Sequence, residues 1–208
     1  MVKLRTICFL WLASTLLSGC YVARGTKAMD VFTNCPPVFI PAVRNATYST
    51  QIDFYKKHLS GLFLFKAMND TTERVVFMTE TGFKFFDLEF TPHHSEVKYI
   101  IPSLNKKIII NTLTKDLGYL VMSPPENSTH EQPKSDTSAT FKFPRGKSYS
   151  YYTADKKCTQ LQRIEYGNDT RKSIVINLTP ADGPHPQTIN IVHQNVKLTI
   201  FLKQITSL

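Results

Sequence analysis

The sequence predicts a mainly β (α+β) protein: a curved antiparallel sheet or unclosed β-barrel of about 10–11 strands, with one main amphipathic helix near 102–120. Three observations carry this expectation. From Ala46 onward, short runs of aromatic and β-branched residues are broken by Asn-Asp or Thr-Gly, the pattern of antiparallel strands joined by hairpins. In Pro102–Leu120 the period changes: Leu104, Ile108, Leu113, Leu117 and Leu120 recur every three to five residues, with lysines between them. The stretch TGFKFFDLEF, residues 81 to 90, holds four phenylalanines and reads as apolar on both faces over half its length.

The elements follow in order. Ile52 and Phe54 alternate with polar residues as a first strand. In GLFLFKAM, Leu62, Leu64 and Met68 fall on one face and Phe63, Phe65 and Ala67 on the other. RVVFM sets Val76 and Met78 against Val75 and Phe77. In TGFKFFDLEF, Phe86, Leu88 and Phe90 point one way and Phe83 and Phe85 the other. VKYII follows the turn TPHHSE. The helix comes next, although the run Ile108-Ile109-Ile110 also suits a strand. The segment 123–139 is polar, holds three prolines and reads as a long loop. TFKFP, KSYSYYT, LQRIEY, KSIVINL, TINIVH and VKLTIFL complete the strands. The last places Val196, Leu198, Ile200 and Leu202 on one face, so the late strands read as half-buried. The early strands thus need cover on two faces, and the helix is placed to supply one. If it fills the concave face the result is plain core; if it only roofs it, an apolar cavity.

The N-terminus sets the compartment. Lys3 and Arg5 precede a mostly apolar run of eleven residues, Ile7–Leu17, which is the length of a secretory h-region and too short to span a bilayer. Leu17-Ser18-Gly19-Cys20 resembles a bacterial lipoprotein lipobox. That resemblance implies cleavage before Cys20 and a covalent diacylglyceryl and N-acyl lipid on it, a membrane anchor without a transmembrane helix. The alternative is an ordinary signal peptide with a chance cysteine. Tyr21, rather than aspartate, leans towards the outer membrane, and YVARGTKA lacks an acidic export cluster, which favours the periplasmic side. The organisation read is 1–19 signal peptide, 20–45 lipidated tether and 46–208 a single β-rich domain.

The formal net charge is +9, of which Lys3 and Arg5 carry two. A basic balance points to anionic headgroups, an acidic partner or nucleic acid. Export argues against nucleic acid, and the lysines are scattered as pairs such as Lys56-Lys57, Lys106-Lys107 and Lys156-Lys157, which read as solvated edges and loops. Of the four cysteines, Cys8 leaves with the signal and Cys20 takes the lipid, so Cys35 and Cys158 remain as a disulfide or as two thiols. Five Asn-x-Ser/Thr sequons, at Asn45, Asn69, Asn127, Asn168 and Asn177, keep a eukaryotic glycoprotein as a minority reading.

RVVFMTETGFKFFDLEF, then VKYIIPSLNKKIIINTLTKDLGYL, and the ending QTINIVHQNVKLTIFLKQI resemble a group of small lipoproteins of diderm bacteria with a LolA/LolB-like, lipoprotein carrier-like fold. The similarity runs from about residue 60 onward. It implies an unclosed barrel whose greasy interior, lidded by helices, receives lipoprotein acyl chains. On this reading Phe63, Phe65, Phe77, Phe83 and Phe85 line the interior and bind a lipid or lipoprotein ligand. The competing expectation is an accessory lipoprotein of a cell-envelope assembly, with a packed core and an envelope protein partner contacted through 123–139.

Catalysis finds no motif: no GxSxG, HExxH, phosphate-binding glycine loop or CxxC is present. His93-His94 beside Glu96 reads as an exposed turn and not a metal site, and His193 as a hydrogen-bonded structural histidine. Asp87 and Glu89 read as a solvated face. Tyr149, Tyr151 and Tyr152 read either as sugar-stacking groups or as amphipathic sheet surface. No metal, cofactor or enzyme activity is expected.

Overall fold

The computed structural model describes residues 40–124, 129–130 and 138–205. The signal peptide, Cys20, most of the tether and Cys35 lie outside the described residues, as does most of the polar loop. The described residues belong to one unit, Cys35–Leu208. Among them no helix is long and apolar enough to cross a membrane.

Short runs rich in aromatic and β-branched residues produce β1 (Thr47–Phe54), β2 (Lys57–Ala67), β3 (Glu73–Met78), β4 (Lys84–Phe90) and β5 (Ser95–Ile100). The helix α1 (Lys107–Val121) follows. Then come β6 (Thr129–His130), β7 (Ser138–Arg145), β8 (Ser148–Asp155), β9 (Leu161–Gly167), β10 (Lys172–Thr179), β11 (Thr188–His193) and β12 (Leu198–Gln204). All pair antiparallel in one twelve-stranded sheet of order β5-β4-β3-β2-β1-β12-β11-β10-β9-β8-β7-β6. The strands expected from the sequence are all present; β6, two residues inside the segment read as a loop, is additional and pairs with β7. β5 and β6 end the sheet, so it is unclosed.

Register carries the core. Side chains directly opposite one another share a face. One buried row runs Ile52, Ile200, Ile191, Ile176, Ile164, Tyr152 and Phe141 across seven strands. A second runs Tyr48, Phe63, Phe77 and Phe86 across the early strands. Each such side chain stabilises the fold by about 1.5–3 kcal/mol relative to exposure.

The helix shows that this face is concave. Gly118 stands against the Phe90 ring of β4, Tyr119 meets Tyr166 of β9 with centroids 6.2 Å apart, and Asp116 bonds His193 of β11. β4 and β9 are seven places apart in the sheet. In a flat sheet that separation would be about 33 Å, whereas a helix is only about 10–12 Å across. The sheet therefore curls round α1, which lies against both arms.

Three sequence expectations change. The helix begins at Lys107, because residues 101 to 106 form a turn in which the Leu104 and Asn105 amides donate to the Ile101 carbonyl. The outer face of the early strands is not covered: Leu62, Leu64, Val76 and Met78 are only half-buried, and Met68 is exposed beyond β2. Val196 precedes β12 and is exposed, leaving Leu198, Ile200 and Leu202 as its inner face.

A bulge explains TGFKFFDLEF. Phe77 pairs with Phe86 but Met78 pairs with Lys84, so Phe85 is the extra residue. The turn before it uses Gly82 at φ 89°. Strict alternation stops there, and residues on the two sides of Phe85 are out of phase.

Gly61 lies where β2 approaches β3. A Cβ there would stand 2.2 Å from the Met78 carbonyl oxygen and 3.0 Å from the Phe77 ring. Gly61→Ala should lose about 1–3 kcal/mol of stability through overpacking; an unchanged urea midpoint would contradict this close approach.

Candidate ligand-binding interior and groove

The early arm holds an aromatic stack. Phe63 and Phe77 lie with ring centroids 5.0 Å apart, Phe77 and Phe85 4.8 Å, and Phe63 and Phe86 5.6 Å. Tyr48 meets Phe65 edge-on at 5.7 Å. Of the five phenylalanines expected to line the interior, Phe63, Phe65 and Phe77 are buried on the inner face. Phe85 reaches the stack from the bulge, half-buried. Phe83 does not join them: it sits in the preceding turn, 55% exposed, its ring edge-on to Phe85. Tyr48, Phe86, Leu88 and Phe90 belong to the inner face as well. Their period-two spacing signals the last three, but the expected pairing of Phe83 with Phe85 drew the lining to the wrong side of the bulge.

The roof is uneven. Leu113, Leu117, Leu120 and Val121 of α1 are buried, whereas Ile108 near its start is 74% exposed. Between the N-terminal half of the helix and β10–β11 runs an open groove of about 630 Å³. The helix lines it with Ile108, Asn111, Thr112, Lys115 and Asp116, and the sheet side with Ser173, Ile174, His193, Asn195 and Val196. Ile174 is also buried on the inner face, so the groove reaches the edge of the apolar interior.

An aspartate–histidine pair closes the inner end. His193 Nε2 and Asp116 Oδ2 are 2.7 Å apart, as expected of a hydrogen-bonded structural histidine. Asp116 is fully buried, and its Oδ1 has no hydrogen-bond partner among the described residues. Burial pushes its carboxyl above the usual range, and the His193 hydrogen bond only partly offsets this. Around it, burial raises the Tyr119 hydroxyl, and raises that of Tyr152 to about 12. Tyr166 is held below its ordinary value by a hydrogen bond with Ser148 and by the Lys115 ammonium, 3.4 Å from its ring centroid.

Other candidates are structural. Asp87 is not on a solvated face: it is 2% exposed, held by Arg74 at 2.7 and 2.9 Å and by Lys84 at 2.8 Å. Burial raises its pKa, but these hydrogen bonds together bring it below the carboxylate norm. His94 is exposed and bonds Thr91 in the β4–β5 turn. Among the described residues no group of three or more metal-ligating side chains exists. Tyr151 and Tyr152 are buried, so neither is an exposed stacking platform; the Tyr151 hydroxyl donates to Asp169. Cys158 is disulfide-bonded. At Asn69 and Asn168 the side-chain oxygen accepts amides two and three residues on, so these sequons serve as turns.

A carboxyl whose pKa is raised on folding contributes stability below about pH 4 that is lost as pH rises through its folded value. Asp116→Asn should therefore gain on the parent protein between about pH 4 and pH 7 in urea denaturation. Parallel pH profiles for the two proteins would refute the burial argument.

No protein-family model and no curated protein matches the sequence. The fold does match solved structures. A LolA superfamily protein from Nitrosomonas europaea superposes with a TM-score of 0.53 at 7% identity, covering 77% of this chain and 83% of that one. A DUF1329 family protein from Desulfovibrio piger gives 0.44 at 10% identity, covering 78% and 84%. A domain described as an outer membrane lipoprotein-sorting protein, from Vibrio parahaemolyticus, gives 0.44 at 9%, covering 77% and 82%. At 7% identity the likeness to the Nitrosomonas europaea protein is one of architecture, and the unclosed antiparallel sheet curled round one helix described above is a LolA-like fold.

Proposed function

We propose that this protein is a non-enzymatic lipoprotein, anchored through lipid on Cys20 at the periplasmic side of the outer membrane, that binds or transfers an acyl chain. The observation that carries this is the half-roofed interior. The C-terminal half of α1 packs on the inner face while its N-terminal half borders a groove of about 630 Å³ ending at Ile174. That volume lies within the roughly 300–1,000 Å³ of small-molecule sites. The groove mixes Ile108, Ile174 and Val196 with polar groups, which suits an amphiphile whose tail turns inward and whose head stays wet. The shared LolA-like fold supports the same reading. The ligand is then a lipid or the lipid of another lipoprotein.

The test is intact mass of protein purified from membranes, native and denatured. A denatured mass fitting an acylated chain that starts at Cys20 is expected, with extra native mass that denaturation removes. Asn111→Trp, an exposed helix position that lines the groove, should reduce bound lipid about tenfold, a loss of ~1.4 kcal/mol. It should do so without lowering the urea midpoint. An acylated chain with nothing bound would instead favour the accessory lipoprotein with a packed core.

A further inference from the structure

We infer that the mouth of the groove is a docking surface for an anionic lipid bilayer. Three apolar side chains stand out around it: Ile108 at 74% exposed, Tyr55 at 64% and Val196 at 39%. They come from the start of α1, the tip of the β1–β2 hairpin and the β11–β12 turn, so no local sequence pattern joins them. Val196 connects them in space. It lines the groove with Ile108, and it lines a neighbouring open depression of about 450 Å³ with Tyr55. The Tyr55 amide donates to the Lys197 carbonyl at 2.9 Å, which fixes the hairpin tip to that turn.

Lysines dominate the charges around these residues. Lys56 and Lys57 follow Tyr55, Lys106 and Lys107 precede Ile108, and Lys197 follows Val196. All five are exposed, and none is in an ion pair among the described residues. The nearby exposed acid, Asp53, is paired with His58 at 2.7 Å. Elsewhere the outer surface offsets Arg74, Lys98, Lys142 and Arg163 with carboxylates. Two of the lysine pairs that look scattered in the chain, Lys56-Lys57 and Lys106-Lys107, thus flank residues at the mouth of the groove.

A tyrosine and two aliphatic side chains ringed by unpaired lysines match the two attractions of an interfacial surface. Apolar groups enter the headgroup boundary, and ammonium groups meet anionic lipid. An acidic protein would match the charge but would leave Ile108 and Tyr55 without a reason for their exposure. Docking would set the groove against the bilayer, yet it needs no lipid in the interior.

The test uses the protein as purified from membranes, with Tyr55→Trp or Ile108→Trp, measured against the unsubstituted protein; the one tryptophan of the sequence, Trp11, lies in the segment read as the signal peptide. With phosphatidylglycerol–phosphatidylcholine vesicles the introduced tryptophan should shift to the blue. The shift should reverse near 1 M salt, where screening shortens to about 3 Å. Lys56→Gln, Lys57→Gln, Lys106→Gln, Lys107→Gln and Lys197→Gln should each weaken it about fivefold, and together abolish it at an unchanged urea midpoint. Absence of a shift on these vesicles would overturn the inference. So would an equal, salt-insensitive shift on phosphatidylcholine alone. Native mass separates this from acyl binding: bound lipid with no emission shift sinks docking only, and docking with no bound lipid sinks the carrier reading only.

Discussion

The pairing of β1 with β12 is the constraint on which the architecture rests. It joins residues some 150 positions apart, with Ile52 opposite Ile200. Every other strand pairing in the sheet links chain neighbours. Without it there would be two separate meanders, each with two free edges. With it the buried isoleucine row and the early aromatic row share one continuous concave face, and α1 has two arms to lie between. The curl follows from the twist of strands together with the demand that both arms bury their inner residues against one helix.

Burial alone does not decide the chemistry of a carboxylate here. Asp87 and Asp116 are almost equally hidden, at 2% and 0% exposed. Asp87 receives three charged hydrogen bonds and its pKa falls; Asp116 shares one with His193 and its pKa rises. The difference lies in partners. Asp87 helps bind β3 to β4 on the outer side, whereas Asp116 links the helix to β11 beside the groove. An incompletely satisfied buried pair at that seam makes the helix contact less favourable than the apolar packing of Leu117 and Leu120.

Much of the fold was legible in the chain. Short runs of aromatic and β-branched residues mark β2, β3 and β10, alternation marks β12 with Leu198, Ile200 and Leu202 on its inner face, and the period of Leu113, Leu117 and Leu120 marks the helix. The lining was only partly legible. Phe63, Phe65 and Phe77 follow from alternation, but Phe83 was misplaced because a bulge at Phe85 changes phase. A bulge is a property of a pair of strands, and nothing within TGFKFFDLEF specifies it. The covered outer face expected for the early strands failed similarly: half-buried Leu62 and Leu64 are tolerable at a surface, and apolar pattern alone does not separate that from core.

The sequence by itself determined the strand and helix segments, the dominance of antiparallel sheet, and the absence of any recognisable catalytic motif. These are local matters of period and side-chain type. Tertiary structure alone decided what meets across the chain. It set Asp116 against His193 from 77 residues away, left Ile108 uncovered at the groove beside Lys107, and brought Tyr55 and Lys197 to the depression next to it. Those relations depend on sheet curvature and on where the helix lies, and both follow from long-range register, which no short window of sequence contains.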